Sequence, residues 1–170
     1  MKFCPICAQA LTIREIDGKS RAACPTSGCG FVFWDNPVPV VAGIVEIGTG
    51  VVLAHNKAWP SGKYSVITGF LERGETPEAG IVRETREELG LHATATALVG
   101  LYPYARANQI IMAYHLTAEG EIVLGEELDD YRIIPKNRLK GWDFGTGLAV
   151  TDWLNGVISA SASQPTGKDG

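Results

Sequence analysis

Three carboxylates, Glu84, Glu87 and Glu88, stand at i, i+3 and i+4 within GFLERGETPEAGIVRETREELGL, residues 69–91. In a helix, about 100° of rotation per residue places all three on one face of one turn. Like charges at that spacing disfavour an isolated helix by about 0.2–0.5 kcal/mol per pair. A divalent cation reverses the sign, because hard cations take oxygen ligands. Arg83 and Arg86 relieve part of the repulsion but do not explain why the acids share a side. The alternative is an acidic face that is merely solvated. The helix is well signalled at both ends. Thr76-Pro77 starts it, with Pro77 where a missing N–H costs nothing, and Gly90 stops it. Ala79, Ile81, Val82, Thr85 and Leu89 can supply its apolar side.

The second group that could do chemistry is the cysteines, all four of which lie in the first thirty positions as Cys4-x2-Cys7 and Cys24-x4-Cys29. A strand-like stretch from Leu11 to Ile16 and an Asp17-Gly18 hairpin turn separate the pairs. Two short-spaced pairs of this kind suggest a zinc ribbon, in which four thiolates close a tetrahedral structural Zn²⁺ site. The alternative is two disulfides, which need an oxidising compartment. MKFCPICAQA has no long apolar run, so a secretory leader is not expected and the location expected is cytoplasmic.

The acidic segment follows the spacing G-x5-E-x7-R-E-U-x-E-E-x-G-U, with Gly69, Glu75, Arg83, Glu84, Glu87, Glu88, Gly90 and Leu91 at the specified positions. It resembles the signature of the Nudix hydrolases; Thr85 stands where an apolar residue is usual. The resemblance implies an α/β fold: an α/β/α sandwich around a mixed sheet. It also implies Mg²⁺- or Mn²⁺-dependent hydrolysis of a nucleoside diphosphate linked to another moiety. By that resemblance Glu84 and Glu88 are metal ligands, Glu87 is a ligand or the base, and the Thr68 carbonyl is a further ligand. Arg83 orients a carboxylate, such as Glu75. A downstream acid completes the set, with Glu127 the candidate and Glu126 the fallback; the alternative for both is an exposed acidic turn.

Ribbon plus Nudix segment resembles the branch that includes the NAD(H) pyrophosphatases. There, Trp34 would contact the nucleotide and Ala149 the substrate; the alternative for Trp34 is a core aromatic between ribbon and domain. The chain departs from that branch in one place. Tyr102-Pro103-Tyr104-Ala105-Arg106-Ala107-Asn108-Gln109 stands where those enzymes carry Ser-Gln-Pro-Trp-Pro-Phe-Pro. FAD and ADP-ribose are therefore candidates beside NAD(H). A nucleotide-sensing module whose ribbon contacts DNA or protein is the rival reading. The resemblance also implies a homodimer.

These residues need elements to carry them. The chain has 170 residues, 45% hydrophobic and 20% charged, enough for one cored domain and a small appendage. The expected organisation is a ribbon over residues 1–36, a catalytic domain over 37–158 and a polar tail over 159–170. Strands are expected at Val38–Ile47, Val51–His55, Tyr64–Phe70, Thr94–Tyr102, Gln109–Thr117 and Tyr131–Ile134, with a closing helix over Thr146–Ile158. No window approaches the roughly 18 apolar residues of a membrane span. A net charge of −4 argues against non-specific nucleic-acid binding. The partner expected is a small nucleotide, without nucleic acid or membrane. His55, His92 and His115 are isolated, and no Ser-His-Asp pattern offers a protein nucleophile.

Overall fold

The computed structural model describes residues 1–156; the tail expected over 159–170 lies outside them. Two compact units divide after Pro37. In the first, β1 (Thr12–Ile16) and β2 (Lys19–Ala23) form a hairpin. Its turn residues Asp17 and Gly18 have φ of 52° and 70°, the type I′ geometry that matches strand twist. β3 (Val32–Phe33) pairs with β2 to complete a small sheet. Trp34 follows it, 45% exposed. The Arg21 guanidinium lies 4.6 Å from its ring centroid and donates to its carbonyl at 2.9 Å. Trp34 is thus not a core aromatic.

The second unit is built around β4 (Val38–Ile47). One edge of β4 runs parallel to β8 (Gln109–Glu119), and β7 (His92–Tyr104) lies antiparallel beyond it. The other edge is shared. The start of β4 pairs with β6 (Ile67–Phe70), and its end with β5 (Gly50–Asn56), which continues to β9 (Leu128–Pro135). The sheet is mixed, and both faces are covered. Val40, Ala42 and Ile44 pack on one side with Ala149, Val150 and Trp153 of α2 (Thr146–Leu154). Val41 and Val45 pack on the other with Ile81 and Leu89 of α1 (Pro77–Leu89). That alternation explains why β4 is a continuous apolar run: neither face meets water. The result is an α/β/α sandwich.

The structure adjusts several expected boundaries. The paired part of β6 begins at Ile67, because Tyr64 and Ser65 lie in an arm that touches β5 through one bridge, Ala54 to Ser65. β9 starts at Leu128 rather than Tyr131, so Asp129 and Asp130 belong to the strand. α2 ends at Leu154, four residues before the expected end. In α1 the expected apolar residue Ala79 is exposed, and Gly80 faces inward beside Ile81, Thr85 and Leu89. Thr85 is fully buried and donates its hydroxyl to the Ile81 carbonyl at 2.7 Å. The departure at this position therefore leaves no polar atom unpaired.

Candidate functional site

The Thr76 hydroxyl accepts from the Ala79 amide, and Gly90 closes α1 in the left-handed region at φ 69°. Between these caps the helix presents Glu84, Glu87 and Glu88 to a cleft of about 1170 Å³, which Thr68 and Gly69 of β6 also line. A Cβ on Gly69 would lie 1.9 Å from Glu84 Cδ. Only glycine leaves room there for the Glu84 carboxyl.

Arg83 organises the acids. Its Nε donates to Glu75 at 2.8 Å and its Nη1 to Glu84 at 2.8 Å and Glu87 at 2.9 Å. Its Nη2 donates to the Phe70 carbonyl at 3.1 Å and to Glu75 at 3.2 Å. This guanidinium holds Glu75 below the usual carboxylate range. Burial raises Glu84, partly opposed by Arg83. Glu88 differs. It is half-buried, and among the described residues no hydrogen-bond donor or cation pairs with its carboxylate. Burial first, then Glu84, Glu127 and Glu87, push it up to about 8. A desolvated carboxylate among like charges is the environment that a hard cation relieves.

Glu127 arrives from a different part of the chain. Val123 N–H donates to the Leu89 carbonyl and Gly125 N–H to the Glu88 carbonyl, both at 2.9 Å. Residues 123–125 thereby cap the last turn of α1 and bring the following acidic turn to the same cleft. The Asn56 amide donates to Glu127 at 3.3 Å, and the Lys57 amide to the Glu127 carbonyl at 3.0 Å. Glu126 also lines the cleft. Glu84, Glu87, Glu88, Glu127 and Thr68 thus share one cavity. Their ligand atoms are not drawn together as tightly as those of the cysteines.

Ala149 is not brought to this cleft. Its side chain is 1% exposed and packs in the core under α2. Residues that the sequence did not single out are brought there instead: Asn56, Trp59, Lys63 and Tyr64 from one arm, and Trp142 and Phe144 ahead of α2. No periodicity marks them, since all but Asn56, the last residue of β5, lie outside the strands and helices. The segment that departs from the NAD(H) branch contributes Tyr104, Ala107 and Gln109 to the wall. His55, isolated in the sequence, is satisfied by distant partners: its ring nitrogens face Asp129 at 2.5 Å and the Pro60 carbonyl at 3.2 Å. The Asp129 bond first, then the carbonyl, raises its pKa.

In the ribbon unit the four cysteine sulfurs all lie within 4.8 Å of one another. The closest pairs are Cys4–Cys29 at 3.6 Å and Cys7–Cys24 at 3.4 Å. Both are far beyond the roughly 2.05 Å of a disulfide. They approach the ~3.8 Å edge of a tetrahedron with Zn–S bonds of about 2.3 Å. Hydrogen bonds from the Thr26 side chain and backbone lower Cys24 to about 6. At Cys29 the Phe31 amide lowers the pKa, but burial and the neighbouring thiols together raise it to about 12. Without a cation, the quartet resists holding four negative charges.

Comparison with known proteins agrees with this geometry. Residues 37–152 match the NUDIX domain. The chain belongs to the Nudix family. This Nudix chain is 31% identical over 114 residues to the NAD-capped RNA hydrolase NudC of Vibrio vulnificus strain CMCP6, covering 67% of the chain and 42% of the relative. It is 30% identical over 133 residues to NudC of Pseudomonas putida strain W619, covering 77% of the chain and 47% of the relative. The chain thus spans less than half the length of these curated relatives. A Nudix hydrolase crystal structure from Nitrosomonas europaea superposes with a TM-score of 0.76 at 26% identity, over 91% of each chain. An ADP-ribose pyrophosphatase from Streptococcus suis shares the fold, with a TM-score of 0.59 at 16% identity over 76% of this chain and 96% of that one. Among the described residues, no helix is long and apolar enough to cross a membrane.

Proposed function

We propose that this protein is a metal-dependent pyrophosphohydrolase acting on a nucleoside diphosphate linked to another moiety, such as ADP-ribose, FAD or NAD(H). The observation that carries this reading is the half-buried Glu88 carboxylate without a counterion, set among Glu84, Glu87 and Glu127 on one cleft. Glu84, Glu88, Glu127 and the Thr68 carbonyl would hold Mg²⁺ or Mn²⁺, with Glu87 a ligand or the base. When bound, the cation lowers the pKa of a water and neutralises phosphoryl oxygens. Arg83 keeps Glu84 and Glu87 oriented toward the cleft, and the packed floor of β6 limits how far Glu84 can move. Phosphoryl transfer asks mainly for positioning and charge stabilisation, so the absence of a Ser-His-Asp pattern from the sequence is no obstacle.

The decisive experiment measures product release from ADP-ribose, FAD, NADH and an NAD-capped RNA, with Mg²⁺ or Mn²⁺ and then with chelator. Chelator-sensitive cleavage of one of the small substrates is expected. Binding without cleavage would instead favour the sensing module, and cleavage of the capped RNA alone would make nucleic acid the partner.

Protons should compete with the cation at Glu88. With its pKa raised from 4.5 to about 8, the folded chain keeps a proton that the unfolded chain releases. Stability of the metal-free protein is therefore expected to fall as pH rises through that window. Apparent Mn²⁺ affinity should rise in the same direction, about fifty-fold from pH 6 to pH 8 for one displaced proton. Thermal melts and titration calorimetry across that range check both trends. A flat Mn²⁺ affinity would remove Glu88 from the ligand set.

For the ribbon we propose one structural Zn²⁺ held by Cys4, Cys7, Cys24 and Cys29. Metal analysis should give one zinc per chain, and Cys24→Ser should lose it and expose the remaining thiols to reagent within minutes rather than hours. Fast-reacting thiols in the native protein would contradict this assignment. The ribbon's role would be structural, since Lys2, Arg14, Lys19 and Arg21 are offset by Glu15, Asp17 and Asp35 and by the formal charge of about −2 on a four-thiolate Zn²⁺ site.

A further inference from the structure

We propose that Lys63 holds the phosphate oxygens of the substrate that lie away from the acidic helix, presented by a braced arm spanning residues 56–65. The proposal rests on the hydrolase reading for its substrate class, a diphosphate. Six carboxylates line the cleft: Glu72, Glu84, Glu87, Glu88, Glu126 and Glu127. A diphosphate entering this cavity meets strong repulsion unless cations offset it. Among the described residues, the cleft-lining cations are Arg83 and Lys63. Arg83 has five N–H donors, and the five bonds described above, to Glu75, Glu84, Glu87 and the Phe70 carbonyl, occupy them. It is committed to positioning acids and has no donor left for substrate. The Lys63 ammonium is exposed and lies 5.3 Å from the Trp59 ring centroid, with no carboxylate paired to it among the described residues. Lys63 is therefore the lining cation whose charge is available.

An exposed lysine on a loop makes a poor ligand if its backbone wanders, because ordering it costs entropy. Here the arm is fastened on both sides. Before Lys63, His55 bridges Asp129 and the Pro60 carbonyl, and the Ala58 amide donates to the Asn56 side chain at 2.9 Å. After it, the Tyr64 hydroxyl donates to Asp130, and the Arg132 guanidinium lies 4.0 Å over the Tyr64 ring. The Lys63 amide itself closes a turn onto the Pro60 carbonyl at 3.3 Å. Residues of β9 thus hold the loop that carries the cation. Trp59, beside Lys63 in the cleft, shields one side of the ammonium.

The test is binding of inorganic pyrophosphate in saturating Mg²⁺, by titration calorimetry, to the full-length wild type, Lys63→Met and Lys63→Arg. Lys63→Met keeps the stem and removes the charge. It should raise the dissociation constant about tenfold, whereas Lys63→Arg should stay within about threefold. Melting temperatures should not change. Affinity of the wild type should also fall more steeply with added NaCl than that of Lys63→Met. In turnover of whichever panel substrate the wild type cleaves, Lys63→Met should raise KM by a similar factor and change kcat little. A dissociation constant within about twofold of wild type in Lys63→Met would overturn the proposal while leaving the hydrolase reading intact. A wild type that binds pyrophosphate through Lys63 yet cleaves nothing would sink the hydrolase reading alone. A wild type that binds no pyrophosphate would overturn both.

Discussion

Glu88→Gln is expected to cut turnover about a thousand-fold, or about 4 kcal/mol of lost transition-state stabilisation, while leaving the metal-free fold intact. The two halves of this prediction share a cause. Burial among Glu84, Glu127 and Glu87 pushes the Glu88 carboxyl up to about 8, so at neutral pH the metal-free protein already holds it largely protonated. Glutamine has nearly the same shape and no charge, so the metal-free melting temperature should match wild type below pH 4.5, where both folded and unfolded chains hold the proton, and exceed it increasingly as pH rises toward 8. Above pH 8 the difference should level off, because the carboxyl is then ionised in both the folded and the unfolded wild type. Divalent metal should stabilise the wild type by linkage and the variant much less. Turnover within tenfold of wild type, or a metal-induced shift of equal size in both proteins, would separate Glu88 from the cation.

The second large effect is expected at a residue with no side chain. Gly69→Ala places a methyl group where Glu84 Cδ stands, 1.9 Å from the ideal Cβ, with Oε1 at 2.1 Å. Glu84 can swing aside only by breaking its bond to Arg83, and its side chain is only 14% exposed. The backbone of β6 is paired to β4 through Val41 to Gly69 and has little freedom to retreat. The methyl therefore displaces the carboxylate rather than the strand. A displacement of about 1 Å at a catalytic group can cost about a hundred-fold in rate. We expect a loss of that size in kcat/KM, with a stability change of about 1–2 kcal/mol. A double-mutant cycle gives the sharper check. Gly69→Ala added to Glu84→Gln should cost little more than Glu84→Gln alone, because both act on one group. Full additivity would mean that Gly69 serves another purpose.

The positions where sequence and structure part company follow a pattern. β4, α1 and the ribbon hairpin were legible because their signals are local. β4 is a β-branched run whose alternate residues now face α1 and α2, and α1 carries its own start and stop. The hairpin turn is set by two residues that tolerate positive φ. Thr85 looked like a departure from the family pattern and proved compatible with a buried helix face, since its hydroxyl bonds the preceding turn. Trp34 is too exposed to be a core aromatic, and Ala149 is buried in the core rather than lining the cleft. Trp34 stacks with Arg21 inside the ribbon unit, and the Ala149 side chain packs under α2. Neither environment can be deduced from the neighbours of these residues in the chain.

The sequence by itself determined that Glu84, Glu87 and Glu88 share a helix face and that four thiols can close on one centre. A single helical turn and two short loops are rigid at that scale, so spacing already settles direction. Only the tertiary structure decided that Glu127 joins those acids, that Arg83 uses all its donors on carboxylates and a carbonyl, and that Lys63 lines the same cleft with no carboxylate paired to it among the described residues. Each of these depends on segments distant in sequence being brought together: residues 123–125 capping α1, β6 beside β4, and β9 gripping the arm of residues 56–65. Such meetings are set by the packing of whole sheet faces, and no local pattern of residue types encodes them.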